Sequence, residues 1–154
     1  MSTEVTFPCT AHPYMPHDPP MALLDEILAC SDTQIEALVR IRPGIPFYAD
    51  GGVPNWVGIE YMAQAIGASA GVCAVRAGKE VQIGFLVSTR RANFSLPLYA
   101  DGMELHVFAL EVIIAANGLA TFDCRIEAEG EEIATARINV YQPEDAQAYL
   151  GAGD

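Results

Sequence analysis

The sequence predicts an α+β domain, an antiparallel sheet wrapped around one long central helix. Two stretches carry the expectation. From Val53 to Val75 the only formal charge is Glu60, and an apolar run of that length reads as a buried helix. From Ile83 to Tyr141 apolar and polar residues alternate in segments broken by turn residues, the pattern of antiparallel strands. A helix that is apolar on all sides needs a sheet to cover it. The 154 residues fit a single domain, residues 1–154, because two domains would each have a thin core.

Residues 8–20 hold Pro8, Pro13, Pro16, Pro19 and Pro20 and are expected to be extended and irregular, with residues 1–16 forming an extended arm. Met21–Leu28 has no clean period and suits either a short helix or the start of a strand. Gln34–Arg42 alternates, with Ile35, Ala37, Val39 and Ile41 opposite Glu36, Arg40 and Arg42, which predicts a half-buried strand. Pro43-Gly44 and Asp50-Gly51-Gly52 make a loop. Pro54 suits the first turn of the helix, which runs to about Ala77 and stops at Gly78.

Within that helix Ala63, Ala65, Gly67, Ala68, Ala70 and Gly71 are small, so a curved sheet can approach closely. Glycine inside a helix costs about 1 kcal/mol relative to alanine, so Gly58, Gly67 and Gly71 imply a packing reason. Strands are expected at Ile83–Thr89, Arg91–Leu96, Glu104–Ala115, Leu119–Glu127 and Glu132–Tyr141. Asn117-Gly118 is the hairpin signal, and Glu129-Gly130-Glu131 is a second turn. Residues 143–154 read as a frayed tail. The sheet would have edges to cover, and edge-to-edge dimerisation is the simplest solution.

At 51% hydrophobic and 18% charged the chain is globular. Its net charge of −12 argues against nucleic acid as a partner. The eight basic residues are Arg40, Arg42, Arg76, Lys79, Arg90, Arg91, Arg125 and Arg137. An acidic partner would have to meet one of these few groups, and Arg90 with Arg91 is the most compact. Cys9, Cys30, Cys73 and Cys124 show no CxxC spacing, which argues against a zinc or redox site and suits buried thiols in a reducing cytoplasm. The first residues lack the pattern of a signal peptide. A bilayer span at Val53–Val75 would put Glu60 in lipid at a cost of about 2.5–3.5 kcal/mol, so a core helix is expected there and no membrane span.

Glu60 is the strongest candidate for chemistry. Gln64 and Trp56 lie four residues to either side, on its face of the helix. A buried, unpaired carboxylate is held protonated or shifted upward, which suits a general acid near neutral pH. An acid hydrogen-bonded at a strand or dimer seam fits the same residues equally well. The helix start, Pro54-Asn55-Trp56, offers free N–H groups to an oxyanion, as every helix start does. His106 falls in an alternating strand and His12 in the arm. His17 is stiffened by prolines on both sides, with Asp18 able to orient it, and solvent exposure remains open for it. No Ser-His-Asp or Cys-His set and no phosphate loop can be assigned from spacing.

These motifs resemble the 3-hydroxyacyl-[acyl-carrier-protein] dehydratases over nearly the whole chain. His17–Leu28, HDPPMALLDEIL, is similar to their His-x-x-Pro-x-x-hydrophobic-Asp segment. Val53–Gly67, VPNWVGIEYMAQAIG, resembles their central helix through Pro54, Glu60, Met62 and Gln64. Gly84–Pro97 and Ala136–Pro143 are similar to the following strand pair and the closing strand. The likeness is strongest to the predicted dehydratases of aryl polyene clusters, which share the Pro-His-Asp and Gly-Ile-Glu motifs.

The resemblance implies a hot-dog fold and a homodimer, or a heterodimer with a related dehydratase, sharing a continuous sheet. It implies no cofactor in the protein itself, with acyl groups carried on the phosphopantetheine of an acyl carrier protein. The helix acid carries over to Glu60 and the oxyanion amide to Asn55. Trp56, Gln64 and Phe85 are expected to help bind the substrate, and Arg90 and Arg91 to dock the carrier protein. The family's loop histidine falls at Pro46, in Ile45-Pro46-Phe47-Tyr48. His17 is therefore the expected base, because its segment lies near the substrate tunnel in this fold. A half-active or non-catalytic subunit paired with a standard dehydratase is the rival expectation, and a hot-dog thioesterase is the third.

Overall fold

The structure, a computed structural model, describes residues 4–81 and 84–142, with Phe85 described for its backbone only. The tail 143–154 lies outside the described residues. β1 (Cys9–Thr10), a short 3-10 turn (His12–Tyr14), β2 (Glu26–Cys30) and β3 (Gln34–Arg40) come first. β4 (Gly52–Pro54) leads into α1 (Val57–Arg76). Then follow β5 (Phe85–Phe94), β6 (Leu98–Ala100), β7 (Glu104–Ile114), β8 (Leu119–Ala128) and β9 (Glu131–Tyr141).

Seven strands make one sheet in the order β1-β2-β3-β7-β8-β9-β5, every neighbouring pair antiparallel, while β4 pairs with β6. α1 packs on the inner face against β3, β7 and β8. This is the hot-dog arrangement. Among the described residues no helix is long and apolar enough to cross a membrane.

The core follows from the two periods. On β7, Leu105, Val107 and Ala109 are buried while His106 and Phe108 point to the outer face. They meet Val57, Tyr61, Met62, Ala65, Ala68 and Val72 of α1 in one apolar cluster. β3 is buried more fully than its alternation implies, because it is an interior strand. Leu38, on the outer face, sits between Glu26 of β2 and His106 of β7. His106 accepts or donates through Nδ1 to Glu36 at 2.8 Å on that same face.

Three expectations change. Pro54 ends β4 opposite Leu98 and does not open the helix, which begins at Val57. A proline suits the end of a short edge strand as well as a first helical turn. The basic pair does not separate two strands: β5 runs through Arg90 and Arg91 and absorbs them in a bulge, with Arg91 at φ 53°. Met21–Leu28 resolves into a strand, but only from Glu26.

Two helix glycines mark close approaches. A Cβ on Gly58 would strike the Tyr99 hydroxyl and lie 3.1 Å from Ile126 Cδ1, so the sheet touches α1 here. A Cβ on Gly71 would collide with the backbone carbonyl of Tyr14, so the neighbour here is the arm. The arm is accordingly packed down, with Ala11 and Met15 buried. Two positive-φ residues, Glu129 and Gly130, close the β8–β9 hairpin.

The four cysteines are free thiols. Burial pushes the Cys124 thiol up to about 12, with the Asp123 charge adding to it, so it stays protonated at neutral pH. Alkylation of the folded protein followed by mass spectrometry is expected to leave Cys124 unlabelled after Cys9, Cys30 and Cys73 have reacted. Equal labelling of all four would contradict this burial.

Candidate active site

A cavity of about 140 Å³ opens between α1, the arm, and the adjoining ends of β5 and β9. Glu60, Ala63, Gln64, Gly67 and Ala70 line it from α1 at three- and four-residue spacing, one helical face. Pro16 and His17 close it from the arm, and Leu86 and Val140 from the sheet. The structure thus brings Glu60, His17 and Gln64 together around one space. The small residues along that face keep the space open, a use that the sequence left indistinguishable from close sheet packing.

Glu60 lines the cavity and is only half-buried. Nor is it unpaired, as its isolation in the apolar run suggested. Gln64 Nε2 donates to Glu60 Oε1 at 3.0 Å. Gln64 itself is fully enclosed. Its Oε1 accepts from the Leu23 amide at 2.8 Å and its Nε2 also donates to the Met21 carbonyl at 2.8 Å. These contacts fasten the segment after His17 to the helix. No local signal in the sequence singles out Met21 and Leu23 as partners of Gln64, since the link exists only after folding.

His17 is half-buried, and its Nδ1 is enclosed without a hydrogen-bond partner. Among the described residues it is the one buried side-chain polar atom left so. Buried polar atoms are nearly always satisfied, so this orphan sets His17 apart from the other buried polar groups. Asp18 does not orient His17: its exposed carboxylate lies 3.8 Å from His12 Nε2.

The other expected residues lie elsewhere. The Asn55 amide, expected as an oxyanion donor, already donates to the Pro97 carbonyl at 3.2 Å, and its side-chain Nδ2 to Leu96 at 2.9 Å. Asn55 is held as a joint between α1 and the stretch before β6. Trp56 is 59% exposed, away from the cavity, with its ring edge-on to Phe47 at 5.7 Å. The side chain of Phe85 lies outside the described residues, while its backbone pairs with Tyr141 beside Leu86. Pro46 sits in the loop before β4 and does not line the cavity.

Arg90 and Arg91 are exposed on the edge strand, with Arg90 in register with Arg137. Arg91, Arg125 and Arg137 line an open groove of about 420 Å³ away from Glu60. Within it Arg137 grips Asp123 with two hydrogen bonds and holds that carboxyl below its usual range. Among the described residues no three His, Cys, Asp or Glu side chains gather as a metal site.

A family model described as ApeP-like, ApeP dehydratase, matches residues 9–151. A chain of the dehydratase heterocomplex ApeI:P from Xenorhabdus doucetiae superposes with a TM-score of 0.86 at 26% identity, covering 95% of this chain and 99% of that one. A point mutant of the phenylacetic acid degradation protein PaaI from Thermus thermophilus matches at 0.61 and 19% identity, over 80% of this chain and 98% of the other. A hypothetical thioesterase from Streptococcus pneumoniae matches at 0.60 and 13%, over 76% and 84%. The last two likenesses concern the fold alone.

Proposed function

We propose that this chain, which belongs to the ApeP-like dehydratase family, removes water from 3-hydroxyacyl thioesters presented by an acyl carrier protein. The products are trans-2-enoyl thioesters of a growing aryl polyene. One observation carries the reading: Glu60 and His17 face the same cavity, and the imidazole there has a buried nitrogen with no partner.

The chemistry needs a base at Cα and an acid at the departing hydroxyl. His17 takes the Cα proton, made acidic by the adjacent thioester carbonyl. The electrons of that C–H bond form the Cα–Cβ double bond as the Cβ–O bond breaks. The leaving hydroxyl takes the proton of Glu60 and departs as water. Glu60 is left ionised and His17 protonated, and return of the proton from histidine to carboxylate, by way of water, resets the pair.

A second hot-dog subunit fits beside this chain. β5 is an open edge carrying exposed Leu86 and Val87, and Leu86 also lines the cavity, so a neighbour docked on that edge would finish the cavity wall. The similarity to a chain of the ApeI:P heterocomplex supports a related dehydratase as that neighbour. A half-active subunit that needs its partner's groups is the second reading, favoured by the same open wall. For the carrier, Arg90 and Arg91 supply the basic contact.

The purified chain, alone and mixed with a related dehydratase, is to be given a 3-hydroxyacyl thioester and its products weighed by mass spectrometry. Loss of one water is expected from the chain alone, and His17→Ala is expected to lower kcat/KM by about 10²–10⁴-fold with unchanged circular dichroism. Turnover only in the mixture favours the half-active subunit, free acid and thiol indicate a thioesterase, and a fully active His17→Ala protein removes His17 from the mechanism.

A further inference from the structure

We infer that Gly67 determines how long a hydrocarbon tail the cavity accepts behind the reacting carbon, which makes this a site for long, straight acyl chains. The place of that carbon, beside Glu60 and His17, is taken from the proposed reaction. The ground is a glycine that neither packing nor backbone conformation calls for. Gly58, Gly67 and Gly71 interrupt α1. A Cβ on Gly58 or Gly71 would collide with a neighbour, but a Cβ on Gly67 would meet nothing closer than Pro16 Cδ at 4.0 Å. Nor is Gly67 among the glycines with positive φ. Alanine would make the better helix there by about 1 kcal/mol.

What Gly67 does border is the cavity, with Ala63 and Ala70 about one turn to either side. A longer side chain at this position would stand in the free space between α1, the arm and the sheet. The wall beyond Glu60 is largely apolar, through Ala63, Ile66, Ala70, Leu86 and Val140. Such a lining suits a hydrocarbon, whose burial is favourable. It does not suit the pantetheine arm, whose amides would be stripped of water without partners. The acyl tail therefore lies here, and the carrier's arm leaves by another side.

The helix measures the depth. Gly67 lies about 10 Å of rise beyond Glu60, and Ala70 about 15 Å. An extended chain advances about 1.2 Å per bond, a third of an extended peptide residue, so the full depth takes about twelve carbons. A conjugated polyene cannot fold back around an obstacle as a saturated chain can, so an obstruction at position 67 stops it outright.

The test compares thioesters of 3-hydroxybutanoate and 3-hydroxytetradecanoate. In Gly67→Leu the ratio of kcat/KM, long over short, is expected to fall at least about a hundredfold, the scale on which a filled apolar pocket rejects added methylenes. Gly67→Ala should move the ratio the same way by less. Ala70→Leu obstructs the cavity about 4.5 Å deeper, so over a series of chain lengths its cut-off should come about four carbons later. Melting curves check that each variant folds. An unchanged ratio, an equal loss at both lengths, or one cut-off shared by the two leucine variants would overturn the inference.

Binding reads the same space without turnover. The probe trans-parinaric acid, a straight tetraene that fluoresces on leaving water, is expected to bind the wild-type chain. Gly67→Leu should bind it at least about tenfold more weakly, as for two or more methylenes left in water. No binding by the wild-type chain, or equal binding by the variant, sinks the inference. A chain that binds the probe through Gly67 yet dehydrates neither thioester, alone or with a related dehydratase, sinks the proposed reaction and leaves the hydrocarbon site standing.

Discussion

Glu60→Gln is expected to lower kcat/KM by about 10²–10⁴-fold, the range over which a positioned acid accelerates proton transfer, while the protein folds as before. The replacement is isosteric. Its side-chain oxygen can accept from Gln64 Nε2 where Glu60 Oε1 does at 3.0 Å, so the glutamine anchor keeps a partner. What is lost is the ability to give up a proton. Stability should hardly change, because Glu60 stands at the wall of an open cavity while Met62, two residues on, is packed in the core. Turnover and the melting curve measured on one preparation separate chemistry from fold. Wild-type kcat/KM in the variant would show that the proton comes from elsewhere.

Gly71→Ala is expected to destabilise the protein by about 1–3 kcal/mol, the usual cost of forcing a methyl into a filled space. The obstacle is the backbone carbonyl of Tyr14, which cannot rotate aside as a side chain would. Either the arm lifts, exposing Ala11 and Met15, or α1 bends. Activity should fall too, because His17 follows Tyr14 by three residues. Gly67→Ala is the internal control. Its added methyl would lie 4.0 Å from Pro16 Cδ, an ordinary contact, and alanine is the better helix former. Urea denaturation should therefore rank Gly71→Ala well below Gly67→Ala, and equal midpoints would mean that the arm does not press on the helix.

The parts of the fold written in local patterns were legible. The apolar run from Val53, the Asn117-Gly118 turn and the alternation through β7 depend on neighbours within a few residues, and α1, the β7–β8 hairpin and β9 appear where those signals put them. Pro54 misled because φ near −65° serves a strand end and a helix start alike. β4 and β6 are three residues each and exist only through one another, so no window along the chain contains their cause.

The candidate site divides the same way. Glu60 and Gln64 are neighbours on a helix and could be paired by counting. His17 could be named but not brought to them. The contacts that bring it there join Leu23 and Met21 to Gln64, 41 and 43 positions away. That the Asn55 amide is already engaged was hidden from the sequence for a related reason. The dipole of a helix start is a generic property, and whether its amide is free depends on a distant carbonyl, here Pro97. A lone charge in an apolar run likewise does not say whether it faces core or cavity. That depends on what leaves room beside it, in this protein Gly67 and Ala70.

The two fastenings of the arm bear on how firmly His17 can be held. Upstream, Tyr14 is pressed against Gly71, and downstream Met21 and Leu23 are bonded to Gln64. The imidazole hangs between these points without a hydrogen bond of its own at Nδ1. Such a short span has little slack, and Pro16, Pro19 and Pro20 make up half of the stretch 15–20. Proline has few conformations to lose on folding, so most of the ordering of this span is built into its covalent structure. The histidine can thus leave its nitrogen uncommitted to the protein and still be held in one place.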